Sequence, residues 1–295
     1  MLKLKTTLLI ALLLLGLVTN KAAASEGPGL ITKVTGKGQP MVLIPGLTCP
    51  GAVWDETIAQ LGDGYEFHTV TLPGFAGNSP LKDHEGKYLE KMRDLVLDYI
   101  HEQKLKKPII MGHSLGGFLA LTITIAEPDL PSKLVIVDSL PYLPAIQMRG
   151  MSKSDVDNMA KTMKTQMAGS ANQSEETRKS FQRMMLKSMI MDSAKIERAL
   201  QWGIESDTET TAQAMYELYT IDIREDIAKI KVPTLVLGAW IAYKNYGATR
   251  ENTLQNYKDQ YAKLDGAIVD LTDNGNHFIM WDDPEFLMNW VKKFL

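Results

Sequence analysis

Six residues, Gly112-His113-Ser114-Leu115-Gly116-Gly117, constrain this chain more than any other stretch. They follow an apolar run from Pro108 to Met111, bounded upstream by Lys106-Lys107. A second apolar run, Phe118 to Ala126, comes after them and ends at Glu127-Pro128. The first run has strand length and the second helix length. A serine therefore stands on a tight strand-to-helix turn with glycine two positions before and two after it, which is the nucleophile-elbow pattern Gly-x-Ser-x-Gly. Such a turn forces the serine into a strained backbone region, and side chains at the flanking positions would meet neighbouring strands or the incoming helix. The result is a hydroxyl held above a sheet edge. It also leaves the backbone N–H of Leu115 on a helix N-terminus, where negative charge is favoured. Glycine-rich turns also join strands to helices where no chemistry occurs; the strand before and the helix after are what mark this one as an elbow.

The rest of the chain alternates in the same way. Strand-like runs are read at Leu30 to Val34, Pro40 to Ile44, Glu66 to Leu72, Lys133 to Asp138, Val232 to Gly238 and Ala267 to Leu271. Tyr88 to Gln103 carries Leu89, Met92, Leu95, Val96, Tyr99 and Ile100 at helical spacing, and Thr249 to Lys263 also reads as a helix. Asp283-Pro284 is well placed to start a final helix, as N-cap and first helical residue. Strands alternating with helices imply a parallel sheet covered on both faces. From Met148 to about Ile223 the character changes: strand-like runs stop, and nine of the chain's 16 Met fall between Met148 and Met191. A helical block there would sit over the carboxyl edge of the sheet, where open α/β sheets bind ligands. Its Met residues suit an adaptable apolar wall, most of them packing inward and a few facing the site.

Composition is needed for three exclusions. Lys3 and Lys5 precede an apolar run from Leu8 to Val18, and Ala22-Ala23-Ala24 follows. That pattern predicts a signal peptide over residues 1–24 and an exported protein, periplasmic or secreted. Eleven apolar residues are too few to span a bilayer as a helix, so no membrane anchor is expected once the segment is removed. Without Lys3, Lys5 and Lys21 the chain keeps 29 of its 32 basic residues against 35 acidic ones, net −6, which argues against a nucleic-acid partner. The single cysteine, Cys49, cannot form an internal disulfide.

Together the elbow, Pro45-Gly46 after the second strand, Leu72-Pro73-Gly74-Phe75-Ala76-Gly77, Ile230-Lys231-Val232-Pro233-Thr234-Leu235 and Gly275-Asn276-His277-Phe278 resemble the α/β-hydrolase fold superfamily, over roughly residues 30 to 295. The chain looks most like its lidded serine hydrolases. The resemblance implies an α/β fold with a doubly wound, mostly parallel sheet and a helical lid inserted after the sixth strand. It divides the chain into a signal peptide, 1–24, a core, 25–145 and 226–295, and a lid, 146–225. No cofactor and no metal are implied; the partner is a small-molecule substrate.

Family order along the chain is serine, acid, histidine. His68, His84 and His101 precede Ser114, and the side chain of His113, beside the nucleophile, is expected to point elsewhere. His277 lies after the last strand, where the family base sits. Many members carry the acid in a Gly-x-x-Asp stretch, but this chain reads Gly238-Ala239-Trp240-Ile241-Ala242-Tyr243, with no carboxylate. A second placement in the superfamily, at the end of the strand after the elbow helix, falls on Asp138; Asp222, Asp270 and Asp273 are poorer candidates. The oxyanion hole would use the N–H groups of Leu47 and Leu115, with Pro45-Gly46 standing where the family usually has His-Gly.

The expected activity is cleavage of an ester-like or related acyl bond through Ser114, His277 and Asp138. A serine at the elbow counts against epoxide hydrolases and haloalkane dehalogenases, which need an aspartate there. Ester, thioester, amide, lactone and C–C hydrolysis stay open, as does cofactor-free haloperoxidase-like chemistry. Phe75, Trp240, Tyr243 and the lid methionines suggest an apolar acyl or aromatic substrate, while Trp54 is expected in the core. The competing class is a non-catalytic ligand-binding or sensor protein on the same scaffold, since fold alone does not decide function.

Overall fold

Short apolar runs and amphipathic segments assemble into one seven-stranded sheet with helices on both faces. The computed structural model describes residues 29–84, 86–148 and 150–295; the expected signal segment, 1–24, lies outside them. The strands are β1 (Ile31–Gly36), β2 (Gly38–Ile44), β3 (Gly64–Thr71), β4 (Ile109–His113), β5 (Lys133–Val137), β6 (Thr234–Ala239) and β7 (Ile268–Thr272). Their order across the sheet is β1-β3-β2-β4-β5-β6-β7. Only β1 runs antiparallel, against β3; it is the exposed edge, with Ile31 and Val34 open to solvent. Each of the seven coincides, within a few residues, with a run expected from the sequence.

The central strands are buried on both faces, which is why they read as continuous apolar runs rather than alternating ones. Along β2 the side chains still alternate between two cores. Val42 and Ile44 face the layer of α2 (Tyr88–Glu102) and α3 (Leu115–Ala126). Met41 and Leu43 face α1 (Asp55–Leu61) and the C-terminal helices. Each fully buried Leu, Ile, Val or Phe contributes about 1.5–3 kcal/mol relative to exposure.

After β5 comes the helical block: a short α4 (Pro144–Gln147), then α5 (Lys153–Gly169), α6 (Glu175–Leu186), α7 (Ser193–Glu205) and α8 (Thr208–Thr220). No strand occurs in it among the described residues. The insertion follows the fifth strand, not the sixth as the resemblance implied, because one strand fewer precedes it among the described residues. The expectation that most of its methionines pack inward is also corrected. Met151, Met159, Met184, Met185 and Met191 are exposed. For Met184 and Met185 the reason is that α6 buries no residue; Met159 lies on α5, which buries only Val156 and Ala160, and Met151 and Met191 lie between helices. Beyond it, α9 (Arg250–Gln260) links β6 to β7, and α10 (Ile279–Asp282) leads into α11 (Pro284–Phe294). Asp283 caps α11 as read from the sequence, accepting from the Phe286 N–H at 3.2 Å.

Parallel register brings the strand ends together: Ile44 pairs with Gly112, His113 with Val137, and Val137 with Leu237. Everything that directly follows β2, β4, β5 and β6 therefore emerges along one sheet edge. Those followers are Pro45-Gly46-Leu47, Ser114, Asp138 and the turn after Ala239.

Candidate active site

Ser114 has φ 54° and ψ −120°, between the end of β4 and the first turn of α3. A non-glycine residue held there costs on the order of 1–3 kcal/mol and persists only where its surroundings enforce it. The enforcement is visible. The Ser114 N–H donates to Val137 O at 2.9 Å, and Ser114 O accepts from the N–H groups of Gly117 and Phe118 at 2.9 and 3.1 Å. A Cβ on Gly112 would lie 2.1 Å from Gly116 O, and one on Gly116 would lie 2.2 Å from Ile44 O. These positions admit glycine alone because backbone crosses backbone there.

The loop after β2 lies against the elbow. A Cβ on Gly46 would come 3.2 Å from Ser114 Cβ and 2.8 Å from His113 Nδ1. Gly46 O accepts the Cys49 N–H at 3.1 Å, which closes the loop around Leu47 and Thr48. Leu47 is half-buried and Leu115 fully buried. Leu115 is the first residue of α3, so its N–H belongs to the first turn, whose donors have no partner within the helix. The Cys49 thiol, buried beneath this loop, is pushed up to about 12 by desolvation, so it is protonated and unreactive at neutral pH.

His277 and Asp138 meet, with Nδ1 of the imidazole 2.5 Å from Oδ2. An ionised carboxylate only accepts, so Nδ1 carries the proton and Nε2 is left as the acceptor of the neutral ring. Asp138, directly after β5, has φ 46° and so, like Ser114, is a non-glycine residue at positive φ. Its other oxygen, Oδ1, accepts from the Ala239 N–H at 2.7 Å and from the Tyr257 hydroxyl at 2.6 Å.

The side chain of His113 does not point away from this group, as the sequence reading expected. Its ring centroid is 4.6 Å from that of His277, and its Nε2–H donates to His277 O at 3.0 Å. Complete burial, reinforced by the neighbouring imidazole, pushes its pKa well below the usual histidine range, so it is a neutral strut. Through His113, the residue preceding Ser114 is in direct contact with the ring of His277. Trp54 packs its edge on His113 at 6.5 Å and is fully buried, in the core role expected for it.

The rejected carboxylates are engaged elsewhere. Asp222 pairs with Arg224 at 2.6 Å. Asp270 accepts from Arg250 at 2.6 Å and from Trp290 at 3.0 Å. Asp273 takes the Trp240 indole N–H at 3.2 Å. Of the three suggested substrate contacts, Phe75 is corrected: it is fully buried in the core, with its ring 5.6 Å from that of Tyr88. Trp240 is half-buried, and Tyr243 is exposed on the turn after β6. Sequence reasoning missed the two donors to Oδ1. A backbone N–H leaves no mark in a sequence, and Tyr257 lies 119 positions from Asp138. Among the described residues, no group of three or more His, Cys, Asp or Glu side chains could hold a metal ion. No described helix is long and apolar enough to cross a membrane.

The sheet and its strained serine turn define an α/β-fold hydrolase. The chain belongs to the alpha/beta hydrolase family, whose model matches residues 41–290. It is 26% identical over 208 residues to a pimeloyl-[acyl-carrier protein] methyl ester esterase of Vibrio cholerae, covering 70% of this chain and 78% of that protein. An esterase from Exiguobacterium antarcticum superposes with a TM-score of 0.71 at 18% identity, covering 90% of this chain and 94% of the other. A bromoperoxidase from Bacillus anthracis does so with a TM-score of 0.71 at 19% identity, over 90% and 94%. At such identities the two structures speak for the fold alone, while the family and its esterase relatives make this chain an esterase-like hydrolase. The expectation of export through residues 1–24 is corrected here. The relatives are esterases named for an ester on an acyl-carrier protein, which counts against an exported location, and the segment that suggested export lies outside the described residues.

Proposed function

We propose that this chain hydrolyses a carboxylic ester of a small, largely apolar acyl compound by covalent catalysis at Ser114. His277 Nε2 takes the Ser114 Oγ proton as the oxygen attacks the ester carbonyl. The carbonyl oxygen becomes negative and is held by the N–H groups of Leu47 and Leu115, each such donor contributing about 3–4 kcal/mol to the transition state. The C–O bond to the alcohol breaks as His277 returns the proton to the leaving oxygen. Water, deprotonated by His277, then attacks the acyl-enzyme, and the acid departs with Ser114 restored. Asp138 keeps the proton of His277 on Nδ1 and stabilises the ring while it is charged. His113, neutral and buried, holds the backbone of His277 from below.

The observation that carries this reading is the 2.5 Å contact between His277 Nδ1 and Asp138 Oδ2, made at the sheet edge where β4 and β5 end side by side and a serine is held at positive φ. Further support comes from the family itself, in which the relatives are named as methyl ester esterases.

The test pairs turnover of a short nitrophenyl ester with labelling by a fluorophosphonate. Ser114→Ala is expected to fold normally, lose about 10⁶ in kcat and take no label. Asp138→Asn is expected to lose on the order of 10⁴. Nitrophenyl ester turnover persisting in purified Ser114→Ala would sink the reading. A wild-type protein that binds acyl ligands but never labels would instead favour the non-catalytic sensor.

A further inference from the structure

We propose that Tyr257 is the positioning residue for the reaction's acid: its hydroxyl, carried on α9 and admitted by Gly238, fixes the Asp138 carboxylate so that one oxygen stays turned to His277. This inference rests on the assignment of Asp138 and His277 made above.

A carboxylate at the end of β5 must be turned correctly, because rotation about Cβ–Cγ would carry Oδ2 away from the imidazole. Here both ends of the group are held. Oδ2 meets His277 at 2.5 Å, while Oδ1 takes the Tyr257 O–H at 2.6 Å and the Ala239 N–H at 2.7 Å. Four residues on, just past the end of α9, the Tyr261 hydroxyl donates to Ser139 O at 2.9 Å, which pins the residue after Asp138. Tyr257 and Tyr261 are both buried, so neither hydroxyl can turn to water instead. Burial and the adjacent carboxylate keep the Tyr257 proton in place by raising its pKa well above the usual range.

Gly238 supplies an independent observation. It sits inside β6 and needs no positive φ, so no turn accounts for the glycine. A Cβ there would come 2.5 Å from Tyr257 Cζ and 2.6 Å from Cε1. The phenol end of Tyr257 occupies the space that any side chain at 238 would need. The strand end that lacks the usual family acid has thus become the brace for an acid on the neighbouring strand. It gives a slot at Gly238 and an N–H at Ala239.

The test is a double-mutant cycle on nitrophenyl ester turnover, using Tyr257→Phe, Asp138→Asn and the double variant. Tyr257→Phe keeps the ring and removes only the donor. It is expected to lower kcat roughly ten-fold with KM unchanged, alongside a modest fall in melting temperature from the lost buried bond to a charged group. In the Asp138→Asn background the same change is expected to cost nothing further. A second variant, Gly238→Ala, drives the phenol off the carboxylate while leaving its hydroxyl present, and is expected to give the same kcat-only loss.

An unchanged kcat in Tyr257→Phe, or in a folded Gly238→Ala, would overturn the proposal. So would an equal ten-fold loss on top of Asp138→Asn, since Tyr257 would then act through packing. If Asp138→Asn itself keeps full turnover, the fault lies with the acid assignment, and the brace falls with it.

Discussion

Helices α6 and α8 belong to the same insertion and have similar lengths, yet they are held by different physics. α8 buries Thr210, Ala212, Gln213, Ala214, Glu217, Leu218 and Tyr219, whereas α6 buries nothing. α8 reaches into the core: Glu217 is 4% exposed, and its carboxylate accepts the Tyr88 and Leu89 N–H groups at 2.6 and 2.8 Å. Those are first-turn donors of α2, whose own N-cap residue, Lys87, offers no side-chain bond. At its start α8 is tied to the loop after β3, where the Asp207 N–H donates to Gly74 O at 2.7 Å. α6 is joined to α7 by the exposed Arg183–Glu197 pair and presents Phe181, Met184 and Met185 to solvent. A segment inserted as one piece of chain is therefore not one mechanical unit. Its last helix completes the core, while its second long helix buries no residue and meets the core only through the partly buried Leu186.

The contrast is broken most directly at Glu217. Glu217→Ala is expected to leave two buried N–H groups of α2 unpaired and to cost about 3 kcal/mol in urea unfolding, with the midpoint falling accordingly. The first turn of α2 should also lose hydrogen-exchange protection along with α8. A loss below about 0.5 kcal/mol, the range of surface substitutions, would mean that α8 detaches as freely as α6.

This division was not legible in the sequence, although much of the surrounding fold was. The central strands could be read because parallel strands buried on both faces are continuous apolar runs, whereas β1, the antiparallel edge, was legible only as a short strand-like run. The elbow could be read because Gly112 and Gly116 face carbonyl oxygens at distances that no side chain tolerates. His277 and Asp138 followed from their order along the chain and from the family resemblance. Tyr257 could not be found that way: α9 reads Arg-Glu-Asn-Thr-Leu-Gln-Asn-Tyr-Lys-Asp-Gln, with no apolar stripe to announce that its tyrosine faces inward. The methionines misled for a related reason. A Met at helical spacing is written alike whether its helix has a core to face or, as at Met184 on α6, has only solvent. Phe75 suggests an apolar substrate by its residue type alone, while its burial against Tyr88 depends on α2, which the sequence around Phe75 does not announce.

A finer probe uses one chemistry at two places. Asp207 caps α8 through the Thr210 N–H at 2.7 Å, and Ser174 caps α6 through the Thr177 N–H at 3.1 Å. Each cap removed by alanine weakens its own helix by about 1 kcal/mol. For Asp207→Ala the whole amount is expected in global unfolding, because α8 opens only with the core. For Ser174→Ala the global transition should stay put, and the loss should appear as faster amide exchange confined to α6. Equal shifts of the two melting curves would erase the distinction between the helices.

The smallest effect is expected on the outer face of α6. Phe181 and Met184 are each 59% exposed, so little apolar area returns to water when they are shortened. Phe181→Ser and Met184→Ser, singly or together, are expected to stay within about 0.5 kcal/mol of the parent and to leave kcat on the nitrophenyl ester unchanged. Serine at these positions does lower helix propensity, by a few tenths of a kcal/mol each, and that sets the size of the residual effect. A drop beyond 2 kcal/mol would require buried contacts that these side chains do not make, and α6 would then have to be counted with α8 as part of the core.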